Sequence, residues 1–144
     1  MKLVFFGGVQ GVGKTTLIAW LKNEFPGWIK FLNPGALFRR YYYRSKLKTL
    51  EEIEELIVKK ILSAPQNSIV VLHWHYAVKR PSAYIPQMKF SRLKRIAESG
   101  KIERAILLSV EVPASLILKR RALDSRKKKR SLSMPAIRDR KSVV

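Results

Sequence analysis

The fold is decided by Leu3-Val-Phe-Phe-Gly-Gly-Val-Gln-Gly-Val-Gly-Lys-Thr-Thr16, a short apolar segment followed by a glycine-rich loop. Residues 8–15 match the octet G-x-x-x-x-G-K-[ST], with a pattern typical of a buried parallel strand before it and a helical pattern after it. The glycines keep side chains away from the backbone N–H groups and allow positive φ, so the loop can surround a phosphate chain. The following helix adds its N-terminal amides and dipole at the same point. The stretch therefore predicts a nucleotide phosphate site.

Residues within and just after the loop have predicted roles. Lys14 is expected to reach the β- and γ-phosphates, and the Thr15 hydroxyl to bind the Mg²⁺ that accompanies ATP. Thr16 is expected to add a phosphate contact or a local cap. A chance glycine-rich turn is the alternative, and the flanking strand and helix argue against it. The predicted ATP-binding residues are Gly8, Val9, Gln10, Gly11, Val12, Gly13, Lys14, Thr15 and Thr16.

Apart from its charge, the composition is that of one globular domain. The chain has 144 residues and a hydrophobic fraction of 47%, which suits a single core. Cys is absent, which excludes disulfides and Cys-based metal sites and agrees with a reducing cytoplasm. The first residues read as a strand and not as a signal peptide, and no apolar run approaches a membrane span. We therefore expect a cytoplasmic protein with no membrane partner.

The charge is extreme. Lys and Arg number 30 against 10 Asp and Glu, which gives a net charge of +20 and a pI near 10.7. Such a protein attracts polyanions, so nucleic acid, ribosomes, anionic lipid and nucleotides are all favoured partners. Charge alone does not choose among them.

The rest of the chain alternates between strand and helix patterns. Strands are predicted at 28–32, 68–74 and 104–110. Four strands alternating with helices imply right-handed crossovers and predict an α/β fold. We expect a P-loop NTPase, a three-layer sandwich with a mostly parallel sheet and helices on both faces. Helices are predicted after the glycine loop as far as Phe25, from Ala36 to Tyr43, from the capping box Thr49-Leu-Glu-Glu52, over Phe90 to Ala97, and from Pro113.

Several finer expectations follow from this pattern. Pro81 and Pro86 predict a loop after the third strand. Because ligands bind outside the carboxyl ends of parallel strands, the residues just after each strand are the candidate site. The predicted buried positions are Ile53, Leu56, Ile57 and Ile61 in one helix, and Leu116, Ile117 and either Ala122 or Leu123 in the last helix.

Two of the segments that follow strands resemble a particular family of kinases. Asn33-Pro-Gly-Ala-Leu-Phe-Arg39 resembles the segment of nucleoside monophosphate kinases in which a Gly leads into a helix whose Arg holds the acceptor phosphate. Ala77-Val-Lys-Arg-Pro-Ser-Ala-Tyr-Ile-Pro86 is similar to the Lys-Thr-Pro-x-Gly-Tyr-Leu-Pro stretch of archaeal-type adenylate kinases. The order of a strand, Pro113, a helix and Arg120-Arg121 is similar to the start of that family's lid. The resemblance covers nearly the whole chain.

This resemblance implies a phosphotransferase that converts ATP and AMP to two ADP, with Mg²⁺ bound alongside ATP. Such a reaction asks the protein mainly to position two nucleotides and to neutralise charge on the transferred group. Arg suits that role because its planar fork binds phosphate in a bidentate way and stays charged. The implied catalytic residues are Lys14, Arg120, Arg121 and Arg126, and the implied substrate-binding residues are Gly35, Arg39, His75, Lys79 and Tyr84.

Some of these residues have alternative interpretations. Arg39 is either the ligand of the acceptor phosphate or a solvated base beside Arg40 and Arg44. Arg120 and Arg121 occupy successive helix positions, so one of them is expected to be a surface charge.

The sequence departs from the family at the third strand. His73 stands where these kinases usually carry an Asp next to the metal, and an imidazole is a poor ligand for Mg²⁺. His73 and His75 point the same way on a strand and suggest a transition-metal pair, for which a third ligand is missing. Glu111 is either a substitute for the missing acid or an ordinary residue at a helix start.

The C-terminal part also differs from the family. Residues 125–130 read Ser-Arg-Lys-Lys-Lys-Arg, where the family alternates Arg and Asp. We expect a single P-loop kinase-like domain over residues 1–144, of which 119–144 form a basic lid and tail. The family's fifth strand is not found after residue 130, so the fourth strand is expected to be exposed or paired with another subunit.

Two classes of function remain open, together with a decayed kinase that has lost its activity. The first is an ATP-dependent nucleoside monophosphate kinase. The second is a basic nucleotide-binding factor or slow ATPase that acts on RNA, DNA or ribosomes. The run Phe38-Arg-Arg-Tyr-Tyr-Tyr-Arg44 fits the second class if its tyrosines stack on bases, and it fits an ordinary helix if they face the core.

Overall fold

The apolar segment before the glycine loop forms an inner strand of a four-stranded parallel sheet. A computed structural model describes residues 1–9, 11–75, 77–79 and 84–123, with the backbone alone for 77–79, 84 and 85. The sheet consists of β1 Lys2–Gly7, β2 Ile29–Leu32, β3 Ile69–His73 and β6 Arg104–Ser109. Its order is β2-β3-β1-β6, with all three pairings parallel.

The remaining elements are one hairpin and the helices. The hairpin is antiparallel and consists of β4 Ala77–Lys79 and β5 Tyr84–Pro86. The helices are α1 Lys14–Glu24, α2 Pro34–Phe38, a π-helix Arg39–Arg44, α3 Leu50–Leu62, α4 Phe90–Ala97 and α5 Ala114–Ala122.

Successive side chains of β1 point to opposite faces of the sheet. Each face is covered by helices, with α3 on one and α1 on the other. Leu3 points into a cluster built with α3, in which Ile53, Ile57 and Ile61 are fully buried. Val4 and Phe6 point to the other face, where they meet Ile18 of α1 and Val71 of β3. The predicted α/β three-layer fold is confirmed.

The start of α3 follows directly from its sequence. The Thr49 hydroxyl accepts a hydrogen bond from the Glu52 N–H at 3.2 Å, and the Thr49 N–H donates to the Glu52 carboxylate at 2.7 Å. This is the predicted capping box. Leu56, predicted to be buried, is half-buried, and Glu54 and Val58 join the buried side instead.

One prediction about local structure was wrong, and another gave the right element with different bounds. Pro86 was predicted to lie in a loop, but it ends strand β5 of a two-stranded sheet, whose edge strands tolerate proline. Pro81 lies outside the described residues. The helix predicted from Ala36 to Tyr43 begins earlier, at Pro34, and continues as a π-helix to Arg44.

The buried side of α5 also differs from the prediction. Ile117 is fully buried, whereas Leu116 and Leu123 are 36% and 74% exposed. Arg121 is buried in their place, with only 6% of its surface exposed. Its aliphatic stem lies close to Gly11 in the loop, a long-range contact that helical periodicity alone does not show.

β6 forms one edge of the sheet in the described part of the chain. It pairs with β1 along its whole length, and Leu107 and Leu108 are 68% and 46% exposed. Over the same residues, no helix has the length and apolar character to cross a membrane.

Candidate functional site

The glycine loop wraps tightly around the carboxyl end of β1. Gly8, Gly11 and Gly13 have φ of 131°, 92° and 105°, which L side chains rarely adopt. A Cβ on Gly8 would lie 2.6 Å from the carbonyl oxygen of Val110, so a side chain there would collide with backbone. The loop therefore keeps its shape only with glycine at this position.

Lys14 lies inside this loop. The side chain is only 4% exposed, and its ammonium donates hydrogen bonds to the carbonyl oxygen of Val9 at 2.9 Å and to that of Gly8. Burial lowers the pKa of Lys14 to about 8. The loop thus holds an ammonium group that is mostly charged at pH 7 and loses its proton more easily than an exposed lysine.

Both arginines of α5 contact the loop. The Arg120 guanidinium donates a 2.8 Å hydrogen bond to the Val12 carbonyl oxygen, and a Cβ on Gly11 would lie 3.4 Å from Cγ of Arg121. Ile117, on the same helix, packs against Val9 and Val12 and fixes α5 over the loop. As expected for successive positions, one of the two arginines is buried and the other exposed, but the exposed Arg120 also binds the loop backbone.

A second basic group lies after β2. The Asn33 side chain caps α2 by accepting a hydrogen bond from the Ala36 N–H at 3.0 Å. A Cβ on Gly35 would lie 3.5 Å from an Arg39 guanidinium nitrogen, so the guanidinium lies beside the start of this helix. Gly35 and Arg39, predicted together as substrate-binding residues, are therefore neighbours.

His73 lies at the end of β3, where burial and the charges of Lys14 and Arg39 all affect its pKa. Its pKa is lowered to about 4 by burial and by the positive charges of Lys14 and Arg39. The imidazole is therefore neutral at pH 7. Lys14 follows β1 and Arg39 follows β2, so both lie beyond the carboxyl ends of strands in the parallel sheet, where such a fold binds ligands.

His75 lies beside His73, and the hairpin follows it in the chain. The His75 N–H donates a 2.7 Å hydrogen bond to the Gln87 side chain, and the His73 and His75 rings lie 5.9 Å apart. Lys79 and Tyr84 lie opposite each other in the hairpin, as their backbone pairing shows. The sequence reasoning missed Gln87, whose only signal is its position directly after the Tyr-Ile-Pro strand.

The remaining predicted residues have simpler positions. Thr15 and Thr16 are exposed in the first turn of α1, and Glu111 is exposed before α5. Gln10 and Arg126 lie outside the described residues. Within the described chain, no group of three His, Asp or Glu side chains is placed to hold a metal ion. The donor available to Mg²⁺ is the Thr15 hydroxyl, which fits an ion held mainly by phosphate oxygens and water.

Comparisons with known proteins agree with this fold. The AAA domain family matches residues 7–136, and no curated protein matches the chain in sequence. A chain in the structure of the Pnkp1/Rnl/Hen1 RNA repair complex has a TM-score of 0.64 at 14% identity, covering 99% of this chain and 43% of that one. The crystal structure of APE1195 has a TM-score of 0.54 at 17% identity, covering 84% and 66%. An unliganded sugar kinase from Janibacter sp. HTCC2649 has a TM-score of 0.51 at 17% identity, covering 99% and 77%.

The family match covers most of the chain, whereas the chain spans less than half the length of the RNA repair protein. At these identities the solved structures show the fold alone. The glycine loop with its buried Lys14 and the parallel sheet agree with the family match. The chain belongs to the AAA domain family, and it is a P-loop nucleotide-binding domain with a kinase-like fold.

Proposed function

We propose that the chain is an ATP-dependent phosphotransferase that moves the γ-phosphoryl group of ATP to a nucleoside monophosphate, with AMP as the expected acceptor. The observation that carries the proposal is that two basic groups, Lys14 and Arg39, both follow the carboxyl ends of strands in one parallel sheet. One of these groups belongs to the glycine loop, and the other follows the second strand. Two phosphate-binding groups at one edge of the sheet suit a donor and an acceptor.

The donor half is built by the loop and α5. Backbone N–H groups of the loop surround the triphosphate, and Lys14 exchanges its carbonyl partners for the β- and γ-phosphates. Arg120 and Arg121 approach the loop from α5 and supply positive charge near the transferred group. We propose Arg126 as a further base of the same lid. The remaining proposed ATP contacts are Gly8, Val9, Gln10, Gly11, Val12, Gly13, Thr15 and Thr16.

The acceptor half is built by α2 and the hairpin side of the sheet. Arg39, held beside Gly35, binds the monophosphate as a bidentate fork. His75, Lys79 and Tyr84 are proposed to line the rest of this half. Because the His73 imidazole is neutral at pH 7, it adds no further positive charge between the two phosphates.

The chemical step needs little from the protein beyond position and charge. An oxygen of the acceptor phosphate forms a bond to the γ-phosphorus, and the bond from that phosphorus to the β,γ-bridging oxygen breaks. The leaving β-phosphate keeps the electron pair. Mg²⁺ bound with ATP through Thr15 would neutralise phosphate charge, and the chain's own bases hold the two nucleotides in line.

Calorimetry with ATP and with each nucleoside monophosphate, followed by turnover on the best pair, tests this proposal. We expect Lys14→Ala to abolish phosphoryl transfer, because the loop loses the charge that faces the β- and γ-phosphates. Lys59→Ala is the matched control, since Lys59 is an exposed lysine on α3. Intact protein that binds Mg-ATP and transfers no phosphoryl group to any monophosphate would rule the function out.

A further inference from the structure

A groove of about 430 Å³ lies where the π-helix and the loop after it meet the start of α3. Its size is that of an ordinary ligand pocket, for which about 300–1,000 Å³ is usual. We call it the tyrosine groove. Its lining combines aromatic rings with two lysines, and consists of Tyr42, Tyr43, Lys46, Leu47, Lys48, Thr49 and Glu52.

The tyrosines of the π-helix do not all face the core. Tyr41 packs against the main core, while Tyr42 and Tyr43 are 37% and 54% exposed. The rings of Tyr42 and Tyr43 lie edge to face, with their centroids 5.0 Å apart and their planes at 84°. Exposed aromatic rings are the groups on which nucleic-acid bases stack in single-strand binding proteins.

The charge around these rings is almost wholly positive. Residues 39–48 read Arg-Arg-Tyr-Tyr-Tyr-Arg-Ser-Lys-Leu-Lys and contain no acid. Glu52 is the acid in the lining, and its carboxylate accepts a 2.7 Å hydrogen bond from the Thr49 N–H at the start of α3. The groove therefore offers a basic rim to phosphates beside its aromatic rings.

The backbone of the groove includes an unusual lysine. Among the described residues, Lys46 is the one non-glycine residue with positive φ, at 51°. Glycine would adopt this conformation with less strain, and a lysine there places a charged side chain at the groove.

We propose that the tyrosine groove binds single-stranded nucleic acid, with bases stacked on Tyr42 and Tyr43 and the phosphate backbone along Lys46 and Lys48. Stacking accepts any base, so the binding is expected to depend little on sequence. This inference goes beyond phosphoryl transfer to a free nucleotide, because the groove is lined by none of the residues assigned to that site.

Fluorescence anisotropy of the full chain with labelled oligouridylate and oligothymidylate of about 12 nucleotides tests the proposal. We expect one or both strands to bind, and a duplex of the same length to bind more weakly because its bases are already stacked. The variant with Tyr42→Ala and Tyr43→Ala loses two stacked bases and should lose at least about thirtyfold in affinity, whereas Tyr42→Phe with Tyr43→Phe should keep the wild-type value.

The salt dependence separates stacking from charge pairing. Lys46→Ala with Lys48→Ala should reduce the slope of log K against log salt by about 0.7 for each phosphate that the lysines neutralise in the wild type. The tyrosine variants should leave that slope unchanged. Lys46→Gly should weaken binding while raising the thermal midpoint, because glycine relieves the backbone strain.

Matched controls make the proposal falsifiable. Trp28→Ala removes another exposed aromatic ring, and Lys59→Ala with Lys60→Ala removes two exposed charges elsewhere. Equal losses in the controls and the groove variants, or failure of both single strands to bind, would overturn the proposal. The assay contains no ATP, so its outcome is independent of whether the chain transfers phosphoryl groups.

Discussion

Arg120 of α5 donates a 2.8 Å hydrogen bond to the carbonyl oxygen of Val12, joining two parts of the chain 108 residues apart. The bond orients a peptide unit of the glycine loop and holds the guanidinium over it. A group from the last described helix thus helps to fix the shape of the phosphate loop.

We expect Arg120→Ala to lower the affinity for ATP about tenfold, because the variant cannot make this charged hydrogen bond to the loop. Calorimetric titration with Mg-ATP measures this effect. Lys119→Ala is the control, since it removes the same charge from an exposed position in the same helix. Similar losses in both variants would mean that overall charge, and not the Val12 hydrogen bond, is responsible.

Gly8→Ala should be strongly destabilising, by about 3 kcal/mol, because the new Cβ meets the Val110 carbonyl and φ is unfavourable. Gly27→Ala measures the cost of the unfavourable φ alone. Gly27 also has positive φ, at 80°, but a Cβ there meets nothing within 4 Å. It should cost only about 1 kcal/mol. Urea denaturation compares the two, and equal costs would contradict the described packing of the loop against Val110.

The low pKa of Lys14 predicts that ATP affinity falls in alkaline solution. With a pKa of about 8 in the free protein, Lys14 is mostly charged at pH 7 and mostly neutral at pH 9, and the neutral amine must take up a proton to bind phosphate. The dissociation constant should therefore rise about tenfold between these pH values. Lys14→Met should bind weakly with little change over this range. A constant affinity in the wild type would be the contrary result.

His73 predicts a loss of stability in mild acid. Its imidazole binds a proton near pH 6.5 in the unfolded chain and only near pH 4 in the folded one, so protonation favours unfolding. Stability should fall by roughly 1 kcal/mol from pH 6.5 to 5, after allowance for solvent screening. His73→Gln should flatten this part of the urea-denaturation profile relative to wild type. Parallel profiles for the two proteins would contradict the prediction.

Local sequence rules predicted the framework well. The capping box at Thr49 and Glu52 depends on contacts three residues apart, so the sequence is sufficient to locate the start of α3. The inner strands β1 and β3 are apolar because helices cover both faces of the sheet there, and their approximate positions follow from that pattern. The octet around Lys14 predicted the phosphate loop for a similarly local reason: the loop's conformation requires glycine.

The misses are long-range or depend on backbone detail. Arg121 is buried against Gly11, and a helical wheel of α5 alone places a leucine or alanine there instead. The β4–β5 hairpin was missed because two prolines indicate a loop when pairing partners are unknown. The π-helix has no signal in its composition. The roles assigned to the site residues stay predictions.

The exposed leucines of β6 bear on how the protein behaves in solution. The side chains of Leu107 and Leu108 offer apolar surface to another copy of the chain, whereas a net charge of +20 makes copies repel one another. Salt weakens that repulsion, since the Debye length shrinks to about 3 Å at 1 M. Concentrated salt, which usually frees basic proteins from polyanions, should therefore promote self-association of this one.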